Sequence, residues 1–405
     1  MRIKSFRAWR PSADLAEQVA SVPYDTVNTA EAAELADGRP WSFLRIVRPE
    51  LELPEGTDVY SDAVYERAAN NFRKFQDERV LIQEEEPSIY VYRQIMGDHS
   101  QTGVVACSHV EDYENDLIKK HEKTRPAKED DRTRHVKTLN ANAGPVFLTY
   151  RADAAIDAIV SKIENGDPLY DITAPDGVRH TVWLADGSEL EEAFKSVGEF
   201  YIADGHHRAA AAARAGRELR DNNPDHDGKE EYNWFLTVLF PSDQLNILAY
   251  NRCVRDLNGL EKDAYLTALR DTFTVVEGAE PVPSRPESAA MYLDGKWYGL
   301  TWELSGTESP VDELDAAYLQ ENLLEPVLGI ENPRTDERID FIGGIRGVAE
   351  LERLVDSGEW AVAFSMYPCG VEQMMAIADA GEIMPPKSTW FEPKLRSGLL
   401  VHTLD

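Results

Sequence analysis

Apolar positions along the chain switch repeatedly between a helical and a strand period. That is the pattern of a mixed α/β protein, not of a block of helices followed by a block of strands. Tyr60 to Arg79 places Val64, Ala68, Phe72 and Phe75 on one helical face. Asn28 and Glu31 have capping-box spacing and Gly38 can close the C-terminus, which predicts a helix between them. Trp41 to Val47 reads as a strand. Ser88 to Ile95 and Gly103 to Val110 flank Gly97-Asp98 and predict a hairpin, and Asp294-Gly295 predicts a second one within Met291 to Leu304. Strongly charged helical stretches are expected over 112–124 and 127–141. A strand (Val146 to Tyr150), a helix (Ala154 to Ile163) and a strand near Val182 follow. Phe200 to Ala203 is a short strand that runs directly into an alanine-rich helix at Gly205. The prolines at 281, 283 and 286 mark a loop. We place the domain boundary there, between a main α/β body over 1–280 and a C-terminal α/β region over 281–405.

The chain has 405 residues, 42% of them apolar, so it can bury a sizeable core. Its 42 basic and 73 acidic side chains give a formal charge of −31. Such a chain repels polyphosphate backbones and anionic lipid surfaces, which argues against nucleic-acid and membrane partners. No apolar run approaches the ~20 residues of a membrane-spanning helix, and Met1 to Glu17 lacks a signal-peptide core. Cys107, Cys253 and Cys369 are far apart, so neither a disulfide framework nor a cysteine zinc site is expected. A cytoplasmic protein is the expectation.

Against that acidic background the junction Ala203-Asp204-Gly205-His206-His207-Arg208 is unusual. Asp204 is a natural N-cap and Gly205 permits a tight turn. The first helical turn then holds two imidazoles and a guanidinium. The helix dipole makes cations there unfavourable by a few tenths to ~1 kcal/mol each. An anion seated over the helix N-terminus would reverse that sign, facing free backbone amides, Arg208 and a protonated imidazole. The plainer reading is a capped helix with polar surface histidines.

Lys119 to Lys137 carries eight Lys and Arg against four acids, a local charge of +4. It reads either as a focused field for a compact anion such as a nucleotide phosphate, or as a solvated pair of charged helices. His121-Glu122-Lys123-Thr124 has no second histidine at metalloprotease spacing, which sets zinc hydrolysis aside. Val22-Pro23-Tyr24-Asp25-Thr26 puts Asp25 in a proline-led turn, as a base, a magnesium ligand or simply a turn residue. Met384-Pro385-Pro386-Lys387-Ser388-Thr389-Trp390-Phe391 holds a lysine and two hydroxyls in a stiff loop that can close on a phosphate or pack as a tail. There is no Walker loop, dinucleotide fingerprint or nucleophile elbow.

These segments, in this order, resemble the bacterial and archaeal domain-of-unknown-function family 1015 over essentially the whole chain. The Asp-Gly-His-His-Arg run also resembles the phosphate-binding box of the ParB/sulfiredoxin superfamily. That superfamily includes CTP-binding partition proteins, ATP-using sulfiredoxin and small kinases of free L-serine. The resemblance implies a ParB/sulfiredoxin-like nucleotide-binding core with additional α+β regions, and a phosphotransferase acting on a small hydroxyl metabolite, L-serine first. ATP or ADP with Mg2+ would serve as donor. On that reading Gly205, His206, His207 and Arg208 hold phosphates, Asp204 orients the first turn or helps hold magnesium, and Arg132 and Lys123 neutralise charge. Asp25 or Glu122, beside His121, takes the hydroxyl proton, and Lys387, Ser388 and Thr389 complete the cleft. A nucleotide-binding switch and a nucleotide hydrolase or phosphatase are the alternatives.

Overall fold

A computed structural model describes residues 1–405. The chain divides into two compact units, Met1–Leu245 with Pro393–Asp405, and Asn246–Glu392.

The first unit is built on a nine-stranded mixed sheet. Its strands are β1 (Ile3–Lys4), β2 (Ile89–Met96), β3 (His99–His109), β4 (Ile118–Lys119), β5 (Val146–Tyr150), β6 (Tyr170–Thr173), β7 (Arg179–Ala185), β8 (Phe200–Asp204) and β9 (Trp234–Pro241). They lie in the order β4-β8-β5-β9-β3-β2-β7-β6, with β1 paired to β3. β4 runs parallel to β8 and β5 parallel to β9, and the other neighbours are antiparallel. The hairpin expected around Gly97-Asp98 is β2–β3.

The helices of this unit are α1 (Thr29–Ala36), α2 (Leu44–Val47), α3 (Asp62–Asp77), α4 (Val110–Glu114), α5 (Pro126–Leu139), α6 (Ala154–Glu164) and α7 (His206–Asp221), besides short helices at Ala16–Val19 and Ser188–Ala193. α1 starts with the capping box of Asn28 and Glu31. α3 buries Val64, Ala68, Phe72 and Phe75, the stripe its sequence shows. Trp41 to Val47 is not a strand. Its apolar run forms α2, with the Arg45 guanidinium donating to the carbonyls of Ala36 and Arg39. Over 112–124 the expected helix stops at Glu114, and β4 and an extended segment follow. There Ile118 pairs with Phe200 and gains burial that a surface helix would not give it.

The last residues of the chain are woven into this first unit. Ser397 and Ser21 exchange backbone hydrogen bonds of 2.8 and 3.1 Å, Val401 pairs with Trp9, and His402–Thr403 pairs with Ala141–Asn142. The Arg396 guanidinium donates to His180 at 3.1 Å and pairs with Asp176.

The second unit is a six-stranded antiparallel sheet: β10 (Tyr250–Val254), β11 (Thr274–Glu277), β12 (Ser288–Leu293), β13 (Lys296–Thr301), β14 (Ile339–Gly343) and β15 (Val362–Met366), in the order β11-β13-β12-β15-β10-β14. The helices α8 (Lys262–Leu269), α9 (Asp315–Leu319), α10 (Val348–Asp356) and α11 (Val371–Asp379) belong to it. The expected hairpin at Asp294-Gly295 is β12–β13. The boundary expected at 280/281 falls inside this unit instead. The proline-rich stretch there is the loop from β11 to β12, two strands that both pair with β13. A proline-rich loop interrupts hydrogen-bonded structure without needing to separate cores.

Candidate functional site

The first unit gathers most of the chemically active residues at the β8–α7 junction. α7 forms because Ala209 to Ala213 is a run of the best helix former, with Ala209, Ala212 and Ala213 buried in the sheet's core. Its entrance is specified by Gly205, which stands at φ 96°, a left-handed conformation that a side chain disfavours. Gly205, not Asp204, is the N-cap. The register between β8 and β5 shifts between Ile202 and Asp204, and such a bulge re-aims the side chain that follows it. Asp204 therefore does not cap the helix. Its Oδ2 accepts from Lys394 Nζ at 3.3 Å, and its Oδ1 lies 3.7 Å from the Arg208 guanidinium. Burial alone would push this carboxyl up, but Lys394 and Arg208 hold it well below the usual carboxylate range.

The two histidines answer a question that sequence leaves open. The segment before α5 runs past the first turn of α7 and offers its backbone amides to both imidazoles. His121 N–H donates to His206 Nε2 at 3.5 Å, and Arg125 N–H donates to His207 Nε2 at 3.1 Å. A ring nitrogen that accepts carries no proton, so both rings are neutral. Burial agrees, holding His206 well below the usual histidine value and lowering His207 as well. The protonated imidazole expected over the helix start is therefore corrected: these rings position a loop and do not supply charge. His121 packs edge-on against His206 with ring centroids 4.4 Å apart. Burial pushes its imidazole down to about 4, and its Nδ1 has no hydrogen-bond partner. Glu122 Oε2 lies 4.0 Å from His206 Nδ1.

Arg208 is the charge at the junction. Its guanidinium donates to the Pro145 carbonyl and folds back over Gly205, where a Cβ would come within 3.0 Å of it. Asp25 Oδ2 stands 3.8 Å away, at the end of a turn closed by Thr26 bonding back to Pro23. Arg208 Nε is buried without a partner. Beneath it lies a cavity of about 40 Å³ bounded by Tyr24, Arg132, Gly144, Arg208 and Ser397, with an apolar floor that includes Ala211 and Phe235. Arg132 stacks on the Tyr24 ring at 4.2 Å and pairs with Asp131 at 2.9 Å, and Asp131 also accepts from the Tyr65 hydroxyl.

Asp25, His121, Glu122, Arg132 and Asp204 to Arg208 are thus brought together. Lys123 is exposed and makes no hydrogen bond or ion pair. Lys387, Ser388 and Thr389 belong to the second unit. The field of the basic island is weaker than its charge count predicts, because Lys119, Lys120, Arg132, Arg134 and Lys137 each pair with a carboxylate. Sequence reasoning missed Lys394, Tyr24 and the Pro145 carbonyl. Lys394 meets Asp204 across 190 positions, and no local pattern announces such a pair.

The chain is therefore a mixed α/β protein, and several buried polar residues of its first unit meet at a strand–glycine–helix junction. It belongs to the family described as a protein of unknown function, DUF1015, whose model matches residues 3–317. The match ends short of Met384 to Thr389. No curated protein matches. Among solved structures, a free serine kinase variant in complex with AMP is similar at 14% identity and a TM-score of 0.38, covering 74% of this chain and 92% of that one. A conserved hypothetical protein from Pyrococcus furiosus gives 14% identity and a TM-score of 0.36 over 74% and 94%. SbnI with a C-terminal truncation, from Staphylococcus aureus, gives 13% and 0.39 over 74% and 87%. No helix of the chain is long and apolar enough to cross a membrane.

Proposed function

We propose that the β8–α7 junction binds the phosphates of a nucleotide and that the chain transfers a phosphoryl group to a small hydroxyl metabolite, free L-serine first. The observation that carries this reading is Arg208: a buried guanidinium with an unpartnered Nε, lying against a left-handed glycine at a helix N-terminus. The amides of His206, His207 and Arg208 have no acceptor within their own helix, and together with the guanidinium they suit a phosphate. Phosphoryl transfer asks for positioning and charge neutralisation more than for covalent help. Gly205 to Arg208 would hold the phosphates, with Arg132 adding charge at the cavity rim and Lys123 reaching in from the surface. Asp204 keeps Lys394 and Arg208 in place. The acceptor oxygen attacks phosphorus, the bond to the leaving nucleotide oxygen breaks, and the hydroxyl proton passes to Asp25 or Glu122. The likeness of the Asp-Gly-His-His-Arg run to the ParB/sulfiredoxin phosphate box supports the same assignment.

No cluster of three metal-ligating side chains exists in the chain. A magnesium ion carried by nucleotide phosphates needs only one or two carboxylates, and Asp25 is the half-exposed carboxylate beside Arg208. The residues thus fit a magnesium that arrives with the nucleotide.

The test is incubation with ATP or ADP, magnesium and a mixture of amino acids, followed by phosphorus NMR. The proposal requires a new phosphomonoester that appears only with a hydroxyl amino acid and disappears in Arg208→Ala. Free phosphate alone would make the chain a hydrolase, and binding without turnover would make it a nucleotide switch. Asp25→Asn and Glu122→Gln separate the bases, since loss of the base lowers kcat more than nucleotide affinity.

A further inference from the structure

Lys394 reaches the first unit from the far end of the sequence. The chain leaves that unit after Leu245 and returns at Pro393, so Lys394 is the second residue of the returning segment. The backbone on either side of it is fixed. Gln94, fully buried on β2, donates through Nε2 to the Lys394 carbonyl at 2.9 Å and accepts in turn from Gln101 at 3.1 Å. Two residues on, the buried Arg396 is held by His180 and Asp176. Ser397 then exchanges backbone hydrogen bonds with Ser21, just ahead of the turn that carries Asp25. One short stretch thus braces the Asp25 turn through Ser397 and meets the β8–α7 junction through Lys394.

Without this lysine the charges around Arg208 would not balance. The guanidinium has a carboxylate on either side, Asp25 at 3.8 Å and Asp204 at 3.7 Å, both too far for a hydrogen bond. One cation against two carboxylates would present net negative charge to an incoming anion, in a chain that already carries −31. It would also draw the guanidinium onto Asp204. Lys394 Nζ instead donates to Asp204 Oδ2 at 3.3 Å, nearer to that carboxylate than Arg208 stands. Two cations then face two carboxylates. The Lys394 and Arg208 side chains are only 15% and 10% exposed, so salt and water screen this balance weakly and one charge more or less is felt. With Asp204 satisfied, the buried, unpartnered Arg208 Nε and the free amides of α7's first turn are left for an anion.

We infer that Lys394 is a positioning residue of the phosphate site, which by holding Asp204 keeps Arg208 available to the nucleotide; this rests on the phosphate-binding reading of the β8–α7 junction. Because Lys394 acts through a carboxylate, removing that carboxylate's charge should remove the need for the lysine. A lysine that bonded the phosphate itself, or one that only packed the tail, would not behave so. The test is isothermal titration of the full chain with ATP and with ADP, each with magnesium, and circular dichroism as the folding control. Lys394→Gln should weaken nucleotide binding by roughly tenfold or more, and Lys394→Arg should retain it. Adding Asp204→Asn to Lys394→Gln should restore most of the lost affinity, the signature of coupling between the two side chains. Unchanged binding in folded Lys394→Gln would leave Lys394 a packing residue and overturn the inference. A double variant as weak as Lys394→Gln would make Lys394 a direct phosphate ligand and overturn it too. Both results leave the phosphate site itself standing. No nucleotide binding by the wild type, or full binding by Arg208→Ala, would instead remove the phosphate site and the inference with it. If Lys394→Gln does not fold, the double variant decides: folded with near-wild-type affinity it supports the charge balance, and unfolded or weak it overturns it.

Discussion

A carboxylate between a strand and a helix ordinarily caps the helix. Asp204 instead turns both oxygens to cations, because the bulge before it points the side chain away from the first turn. Its carboxyl is held below the ordinary value, so it stabilises the fold above the unfolded-state value of ~3.9, and that contribution disappears as pH falls below it. Asp204→Asn should therefore cost ~1–3 kcal/mol at neutral pH, with the gap to wild type closing only in acid. Urea unfolding at neutral pH and near pH ~3 checks this. His121 works over another window. Buried neutral, it resists protonation down to about 4. The stability it contributes is complete above the unfolded histidine value of ~6.5 and is lost as pH falls from there towards 4. Unfolding midpoints should drop across that range, and His121→Gln should remove up to ~1.4 kcal/mol per pH unit from the slope. A slope unchanged in the variant would mean that His121 is not buried neutral.

α7 shows which features of an element its own sequence reveals. The switch from strand to helix period at residues 200–206, the alanine run and the glycine hinge are all local, so the junction was legible before any fold was known. Trp41 to Val47 was not, because a short apolar run suits a strand and a buried helical turn equally. Nor was the state of His206 and His207, which depends on two amides reaching in from residues 121 and 125. Gly216 is a further case. In a helix interior, alanine would be favoured over glycine by ~1 kcal/mol. A Cβ at Gly216 would, however, meet the Tyr232 carbonyl oxygen at 2.4 Å. Backbone oxygen cannot swing aside, so packing outweighs propensity: Gly216→Ala should destabilise by ~1–3 kcal/mol, read as a lowered Tm. A raised Tm would show that α7 can shift.

Across the whole molecule, the missed boundary has a plain cause. The first unit is discontinuous in sequence, completed by Pro393–Asp405 through pairings to Trp9, Ser21 and Ala141–Asn142. Composition marks loops and cannot report pairings between the chain's two ends. Net charge was legible and sharpens the functional argument, because a chain of −31 that binds an anion must do so with a few shielded cations. On the proposed reading Arg208 is the chief of these. Isothermal titration of ATP and ADP against wild type and Arg208→Ala, with magnesium and with circular dichroism as the folding control, tests this most directly. The account predicts saturable nucleotide binding that the substitution weakens by ~2–4 kcal/mol, with the fold intact. Equal affinity in a well-folded Arg208→Ala, or no nucleotide binding by the wild type, would contradict it.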